Sequence, residues 1–377
     1  MPPPPTGAEV PPPAGDEAPL ITATGPLAQA EAARVLQLAG AAAGHDAVGP
    51  LSEPVLLELR YGGDPQARNL LLTAGPALAG YAHVDPASPP ANPAGPGTPG
   101  TPAASPADAD GGPAAELVIH PDHRGRGLGL ALARALLAEA APHPVRVWAH
   151  GDLPAARALA ARAGFSRIRS LWAMHRPLAD LPPVPALPAG VTIRTFSAGV
   201  DEAAWLDLNR KAFAHHPEQG AWTAEDLSLR EREPWFDPDG FFLAERDGKL
   251  AGFHWTKIHG SPPEIGEVYV VGVDPAGQGG GLGRVLTMTG LHYLRSRGLA
   301  EVMLYVEEDN APAIRLYKSL GFSHRGTDVM FRHPGAGEGS GTARQSIRAT
   351  ESRPSTASSS ASVSGRSQTA TALRTSA

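Results

Sequence analysis

The chain has 377 residues, 42% of them hydrophobic, and its 43 glycines and 40 prolines cluster rather than spread, so two ordinary domains separated by unstructured stretches are expected. A net charge of −6 with no basic stripe argues against a nucleic-acid partner, because neutralising phosphates takes clustered Lys and Arg. The absence of cysteine excludes disulfides, thiolate metal sites and Cys nucleophiles.

Residues 1–19 are Pro-rich and read as disordered; they have neither the basic start nor the apolar core of a secretory signal. No apolar run reaches membrane-spanning length. The expectation is a soluble, cytoplasmic, monomeric protein with no membrane partner. A first folded block covers 20–175. Inside it, Asp85–Gly112 is almost wholly Pro, Ala, Gly and Ser, and reads as a disordered surface insertion between two strands. Arg176–Gly190 has the composition of a stiff linker. A second block covers 191–333, and the Ser/Thr-rich tail from Pro334 cannot bury enough apolar surface to fold.

The two blocks resemble each other. HPDHRGRGLGLALARALL in the first answers DPAGQGGGLGRVLTMTGL in the second, with Arg124 and Gln278 at an offset of 154. ARALAARAGFSRI answers AIRLYKSLGFSHR, with Gly164 and Gly321 at an offset of 157. Two motifs in one order at nearly one offset point to an internal duplication. In the second block FFLAERDGKLAGFHWTKI reads as a strand pair turning at Asp247-Gly248. The strand EVYVVGV follows. A glycine-rich turn then opens a helix whose Leu282, Val285, Leu286, Thr289 and Tyr293 keep helical spacing. The strand EVMLYVE and a helix from about Ala311 to Leu320 come next, and Gly321 suits a left-handed residue just past the helix end. Alternating strands and helices predict a mixed α/β sheet.

The central motif is Gln278-Gly279-Gly280-Gly281-Leu282-Gly283, between a strand and a helix. Glycines there let a ligand approach the backbone, and the free N–H groups of a helix start suit an anion such as a pyrophosphate. No Lys-Ser/Thr follows, so it is not a P-loop. A dinucleotide fingerprint on Gly125 and Gly127 would need a glycine where Leu130 stands. One such turn could be geometry alone; two in the same frame favour ligand binding.

The pattern Gln/Arg-x-x-Gly-x-Gly/Ala after a strand, present as QGGGLG and RGRGLG, resembles the acetyl-CoA signature of the GCN5-related N-acetyltransferases. NAPAIRLYKSLGF is similar to that family's second motif. The resemblance covers both blocks and implies two tandem acyl-CoA N-acyltransferase domains, acetyl-CoA as co-substrate and no metal. It implies that the backbone of Val271, Gly272 and Val273 pairs with the pantetheine arm. Gln278, Gly279, Gly280, Gly281, Leu282, Gly283 and Arg284 would hold the pyrophosphate, and Asn310, Ala311, Pro312, Ala313, Ile314 and Arg315 would line the cofactor. In the first block the matching set is Leu117, Val118, Ile119, Gly125, Arg126, Gly127, Leu128, Gly129 and Leu130. The longer strings HHPEQG, GFHWTKIHG, GEVYVVGVDP and LYVEEDNAPAIRLY resemble a tandem-domain branch of the family. Its members acetylate the cysteinyl amine of a cysteinyl-glucosaminyl-inositol, Cys-GlcN-Ins.

Acetyl transfer from a thioester to an amine needs a base for the ammonium proton, donors for the tetrahedral oxyanion and a proton for the departing thiolate. An α-amine with a pKa of about 8 is mostly protonated at neutral pH, and a carboxylate can take that proton. Glu267 begins the strand leading to the glycine turn. As a residue type it serves equally as a solvated charge; the resemblance implies the general base. Tyr317 shares a helix face with Ala313, Ile314 and Leu320 and by itself reads as core; the resemblance implies the general acid. It also implies a backbone N–H near Val271 to Val273 as oxyanion donor, and Glu53, Glu218, Lys257, Glu267 and Tyr305 as contacts to a polyhydroxylated amine. Glu53 and Lys257 could as well be ordinary surface charges. His215-His216 lacks a third ligand at metal-binding spacing.

With the offset of 154, Glu267 falls on Pro113; with 157, Tyr317 falls on Ala160, Asn310 on Leu153 and Tyr305 on Trp148. The first block therefore keeps the glycine turn and lacks base and acid. Transfer to another small amine or a protein N-terminus, or acyl-CoA binding without catalysis, are the competing readings.

Overall fold

The computed structural model describes residues 18–86, 112–214, 219–260, 264–277 and 280–335. Most of the Pro-rich start, of the expected insertion and of the tail, with the His pair, Glu218, Gln278 and Gly279, lie outside the described residues.

Each half is built from the same run of elements. The first comprises β1 (Leu20–Thr24), α1 (Gln29–Asp46), α2 (Glu53–Tyr61), β2 (Arg68–Ala74), β3 (Ala77–Asp85), β4 (Ala114–Ile119), α3 (Leu128–Ala140), β5 (Val145–Ala149), α4 (Pro154–Ala163) and β6 (Ser166–Pro177). The second comprises β7 (Val191–Thr195), α5 (Glu202–Ala212), α6 (Ala224–Glu231), β8 (Phe241–Arg246), β9 (Lys249–His259), β10 (Ile265–Val273), α7 (Leu282–Ser296), β11 (Glu301–Glu307), α8 (Ala311–Ser319) and β12 (Ser323–His333). The β8–β9 turn falls on Asp247 and Gly248, with φ of 53° and 73°. Two successive left-handed residues match the right-handed strand twist, which is why Asp-Gly closes this hairpin. On α7 the buried face runs through Leu282, Val285, Leu286, Leu291 and Leu294, while Thr289 and Tyr293, expected to face inward, are only partly covered. No helix among the described residues is long and apolar enough to cross a membrane.

The strands form one sheet in the order β1-β2-β3-β4-β5-β12-β6-β11-β10-β9-β8-β7. The halves thus exchange their last strands. β12 pairs antiparallel with β5 of the first half, and β6 pairs antiparallel with β11 of the second. β6 and β12 also pair with each other at the centre. This revises the expected boundary. The supposed linker starts inside β6, which runs to Pro177, and Leu178 is fully buried with Met174 in the second half's core beside Leu291 and Leu304. The first half's core gathers Leu132 and Leu136 of α3 against Leu70, Leu72 and Val84. The second half adds an aromatic cluster of Trp205, Phe241, Phe253 and Trp255 beneath the β8–β10 face.

The parallel pairs are short. β10 meets β11 only at Gly266↔Val302 and Glu267↔Met303, and β4 meets β5 only at Ala114↔Arg146 and Ala115↔Val147. Beyond these points the strands splay, and one edge of each carries unpaired backbone groups that need a partner.

Candidate active site

At the head of α7, Gly281 has φ of 77°; at the head of α3, Gly127 has φ of 81°. Only glycine adopts this left-handed geometry without strain, and it turns each chain abruptly from strand into helix. The first-turn N–H groups have no intrahelical partner and point out of the helix end beside the splayed strand edge. Along that edge in the second half, Val271, Gly272 and Val273 pair with His254, Phe253 and Gly252 of β9, while no β11 residue pairs with them. A thioester cofactor with a pyrophosphate and an amide-bearing arm fits this combination of anion site and open strand edge.

The residues predicted to line the cofactor divide on inspection. Gly280, Gly281, Gly283 and Arg284 sit at the opening of α7, and Arg284 donates to Ser319 Oγ at 3.1 Å. Leu282 and Ile314 are buried core residues, so only their backbone can face a ligand. Asn310 caps α8 by accepting the Ala313 N–H at 3.1 Å, which fixes the helix start on which Ala311, Pro312 and Arg315 are exposed. Tyr317 is half-buried on α8 with its ring 5.8 Å from Phe322. Burial pushes its phenol up to about 12, so it stays protonated at neutral pH.

A cavity of about 1580 Å³ opens where the halves meet, and Glu53, Lys257, Glu267 and Tyr305 all line it. Glu267 pairs across the strands with Lys257 and is 7% exposed. Its Oε2 lies 2.8 Å from His259 Nε2. Glu53, at the first turn of α2, reaches from the first half to Lys257 Nζ and accepts from the Tyr269 hydroxyl. Arg230 Nε donates to the Tyr269 oxygen at 2.8 Å, and its guanidinium lies 3.8 Å from the centre of the Trp222 ring. Lys257 sits 4.4 Å from the Trp235 ring centre. Burial works against the charge on Glu53, yet Lys257 and Arg230 outweigh it and hold the carboxyl below the usual range.

Sequence reasoning missed Tyr269, Arg230 and His259. Tyr269 is the bulged residue of β10, where the register against β9 slips between Val268 and Val270. His259 could have been found by setting GFHWTKIH antiparallel to GEVYVV, which puts it two residues from Lys257 on the face that carries Glu267.

The Acetyltransferase (GNAT) family matches residues 51–165 and 203–322. The chain is 55% identical to the mycothiol acetyltransferase of Acidothermus cellulolyticus, over 84% of this chain and 96% of that one. It is 56% identical to the mycothiol acetyltransferase of Thermomonospora curvata, over 85% of this chain and 99% of that one. The chain belongs to the mycothiol acetyltransferase family, a tandem branch of the GNAT family. It is an acetyl-CoA-dependent N-acetyltransferase. Among solved structures it resembles a GCN5-related N-acetyltransferase from Sphaerobacter thermophilus, with TM-score 0.56 and 25% identity over 83% of this chain and 95% of that one. It also shares the fold of a tandem GNAT protein from the clavulanic acid biosynthesis pathway, with TM-score 0.59 and 22% identity over 83% of this chain and 98% of that one.

Within this GNAT pair the first half has a different chemistry. An apolar pocket of about 430 Å³ is lined by Leu117, Val118, Ile119, Gly125, Gly127, Gly129 and Leu130, with Ala156, Leu159 and Phe165 of α4 and beyond. Arg126 and Leu128, also predicted there, are not among its lining. Arg124, the first residue of the motif, is held by Asp46 of α1 through two hydrogen bonds of 2.7 Å. The bulge at Tyr269 corrects the superposition by one residue. Asp85↔Ala114 in β3–β4 takes the place of Lys257↔Glu267 in β9–β10, so Glu267 falls on Ala114 rather than Pro113. No carboxylate occupies that position in either register.

The first half's buried carboxylate is instead Glu116, which accepts the Ser52 N–H at 2.7 Å. His150 Nδ1 bonds Asp328 of the exchanged strand β12 at 2.9 Å, and its Nε2 stands 3.9 Å from Glu116. Burial disfavours a charged His150, but its bond to Asp328 and the nearby charge of Glu116 prevail and lift its pKa to about 10. Glu58, partly buried and close to Asp85, Asp64 and Glu116, is raised to about 7.

Proposed function

We propose that the second half transfers the acetyl group of acetyl-CoA to the free amine of the cysteinyl group of Cys-GlcN-Ins, desacetylmycothiol, to give mycothiol. Two kinds of support bear on this: the family of the chain, and a buried carboxylate, Glu267, facing a cavity to which both halves contribute polar groups. Acetyl-CoA supplies an activated thioester carbonyl. Glu267 takes the ammonium proton, directly or through a water, so the amine can attack. A backbone N–H from Val271 to Val273 meets the oxyanion, and the Tyr317 hydroxyl protonates the departing thiolate. Gln278 and Gly279 add contacts to the pyrophosphate, and the first half's glycine turn offers a second acyl-CoA site without base or acid. Glu53, Lys257 and Tyr305, joined by Glu218, bind the hydroxylated acceptor. The reading takes the protein as a cytoplasmic monomer needing no metal, since one chain supplies both walls of the cavity.

The test is steady-state kinetics on Glu267→Gln and Tyr317→Phe with Cys-GlcN-Ins and a panel of other amines. Each variant is expected to lose about a hundredfold or more in kcat, the usual worth of a general base or acid. Wild-type rates in both would remove the assigned roles, and an acceptor panel with no preference for Cys-GlcN-Ins would remove the substrate.

A further inference from the structure

Glu267 is placed to collect a proton but not to dispose of it. Its side chain is 9% exposed, whereas that of His259 is 37% exposed. Both line the cavity. The two residues come from adjacent antiparallel strands. His259 pairs with Ile265 and Lys257 with Glu267, so His259 and Glu267 share a face diagonally, close enough for the 2.8 Å bond between His259 Nε2 and Glu267 Oε2. The lysine beside Glu267, Lys257, is engaged with Glu53 of the opposite half and lies over Trp235. Glu264, Arg297, Tyr305 and Asp328 also line the cavity. Among the described residues, His259 is the side chain that bonds Glu267.

We propose that His259 is the proton exit of the site, acting through Glu267 and not on the acceptor itself; the proposal rests on the reading of Glu267 as base. Acetylation of an ammonium by a thioester, with the thiolate reprotonated, releases one proton net. An N–H bond of the acceptor breaks as an O–H bond forms on Glu267. That O–H bond breaks as an N–H bond forms at His259 Nε2, and the imidazolium gives a proton to water. Imidazole suits this place because one ring nitrogen can take a proton from Glu267 while the exposed ring gives one up to water. Without it each turnover would leave a protonated, nearly sealed carboxyl that has to discharge into the acceptor cavity.

The experiment compares His259→Ala, His259→Gln and Glu267→Gln in the full chain with Cys-GlcN-Ins and acetyl-CoA, with and without added imidazole. His259→Ala is expected to lose about tenfold or more in kcat, within the range of a proton-transfer group, with both KM values nearly unchanged. Imidazole should restore much of that rate. His259→Gln keeps a hydrogen-bonding group without a titrating one, so it should stay slow, and imidazole should not rescue Glu267→Gln. Recovery of wild-type kcat by His259→Gln would overturn the relay in favour of mere positioning, and so would a His259→Ala variant at wild-type rate or one deaf to imidazole. If Glu267→Gln itself turns over normally, the reading of the base has failed; if only the His259 variants do, the relay alone has.

Discussion

The two halves repeat one fold yet spend their buried charges differently. In the second half a carboxylate at the splay of the parallel strands faces a cavity beside a histidine that water can reach. In the first half that strand position is Ala114, and the nearby carboxylate Glu116 is used inward, toward the Ser52 N–H and the His150 ring bonded to Asp328. The same architecture thus sets one carboxylate against a histidine open to water and the other against a histidine enclosed between two acids. The glycines at the two helix heads, by contrast, have nearly the same backbone geometry. Binding geometry and proton chemistry are separate properties of this fold, and one can be kept without the other.

The largest expected effect comes from the paired glycines. A Cβ added at Gly281 or Gly127 would meet no atom within 4 Å, so neither site is closed to a side chain by its neighbours. Each costs about 1–2 kcal/mol of left-handed strain and projects into the space an anion would use. Gly281→Val is expected to cut turnover about a hundredfold or more by displacing the diphosphate, while Gly127→Val leaves it largely intact. Matched kinetics and calorimetry with coenzyme A on the two variants would show this. Equal losses of activity would mean that the halves are catalytically coupled.

A smaller effect is expected where the halves touch. Glu53→Gln removes a charge that binds Lys257 and Tyr269 across the cavity. The KM for Cys-GlcN-Ins should rise about tenfold, the worth of one charged hydrogen bond, with the KM for acetyl-CoA unchanged. A loss confined to kcat would instead place Glu53 in the chemistry.

The smallest effect is on stability. The pKa of His150 is raised on folding, to about 10, from an ordinary value of about 6.5. The stability it contributes is therefore full below about pH 6.5 and is lost as pH rises toward 10. Glu58, raised to about 7, loses stability in the same direction from its ordinary range upward. Thermal melting of the wild type should decline across this window, and His150→Gln should flatten the decline above neutrality. An unchanged slope in that variant would detach the pH dependence from the Glu116–His150–Asp328 contact.

Much of this was legible in the sequence because it is local. Glycine turns, the Asp247-Gly248 hairpin and the helix from about Ala311 that stops at Gly321 announce themselves within a few residues, and the two offsets tie the copies together. The strand exchange was not legible. β6 and β12 occupy equivalent places in the repeat, so either can complete either half, and which one does is decided by packing far along the chain. The Glu53–Lys257 contact was hidden for the same reason, joining residues 204 apart. The bulge at Tyr269 shifted one superposition by a residue because a single insertion inside a strand leaves no mark in composition.

The exchange also bears on synthesis. When the first half emerges from the ribosome, the place beside β5 that β12 will take is empty. Its own β6 pairs with β12 and β11, both still to be translated. At roughly 5–20 residues per second, the nascent chain must wait on the order of ten seconds or more before Ser323 is made. During that interval it carries an open strand edge, a template for wrong pairing. Closure of the first half thus waits on the last strand of the second half rather than coming early.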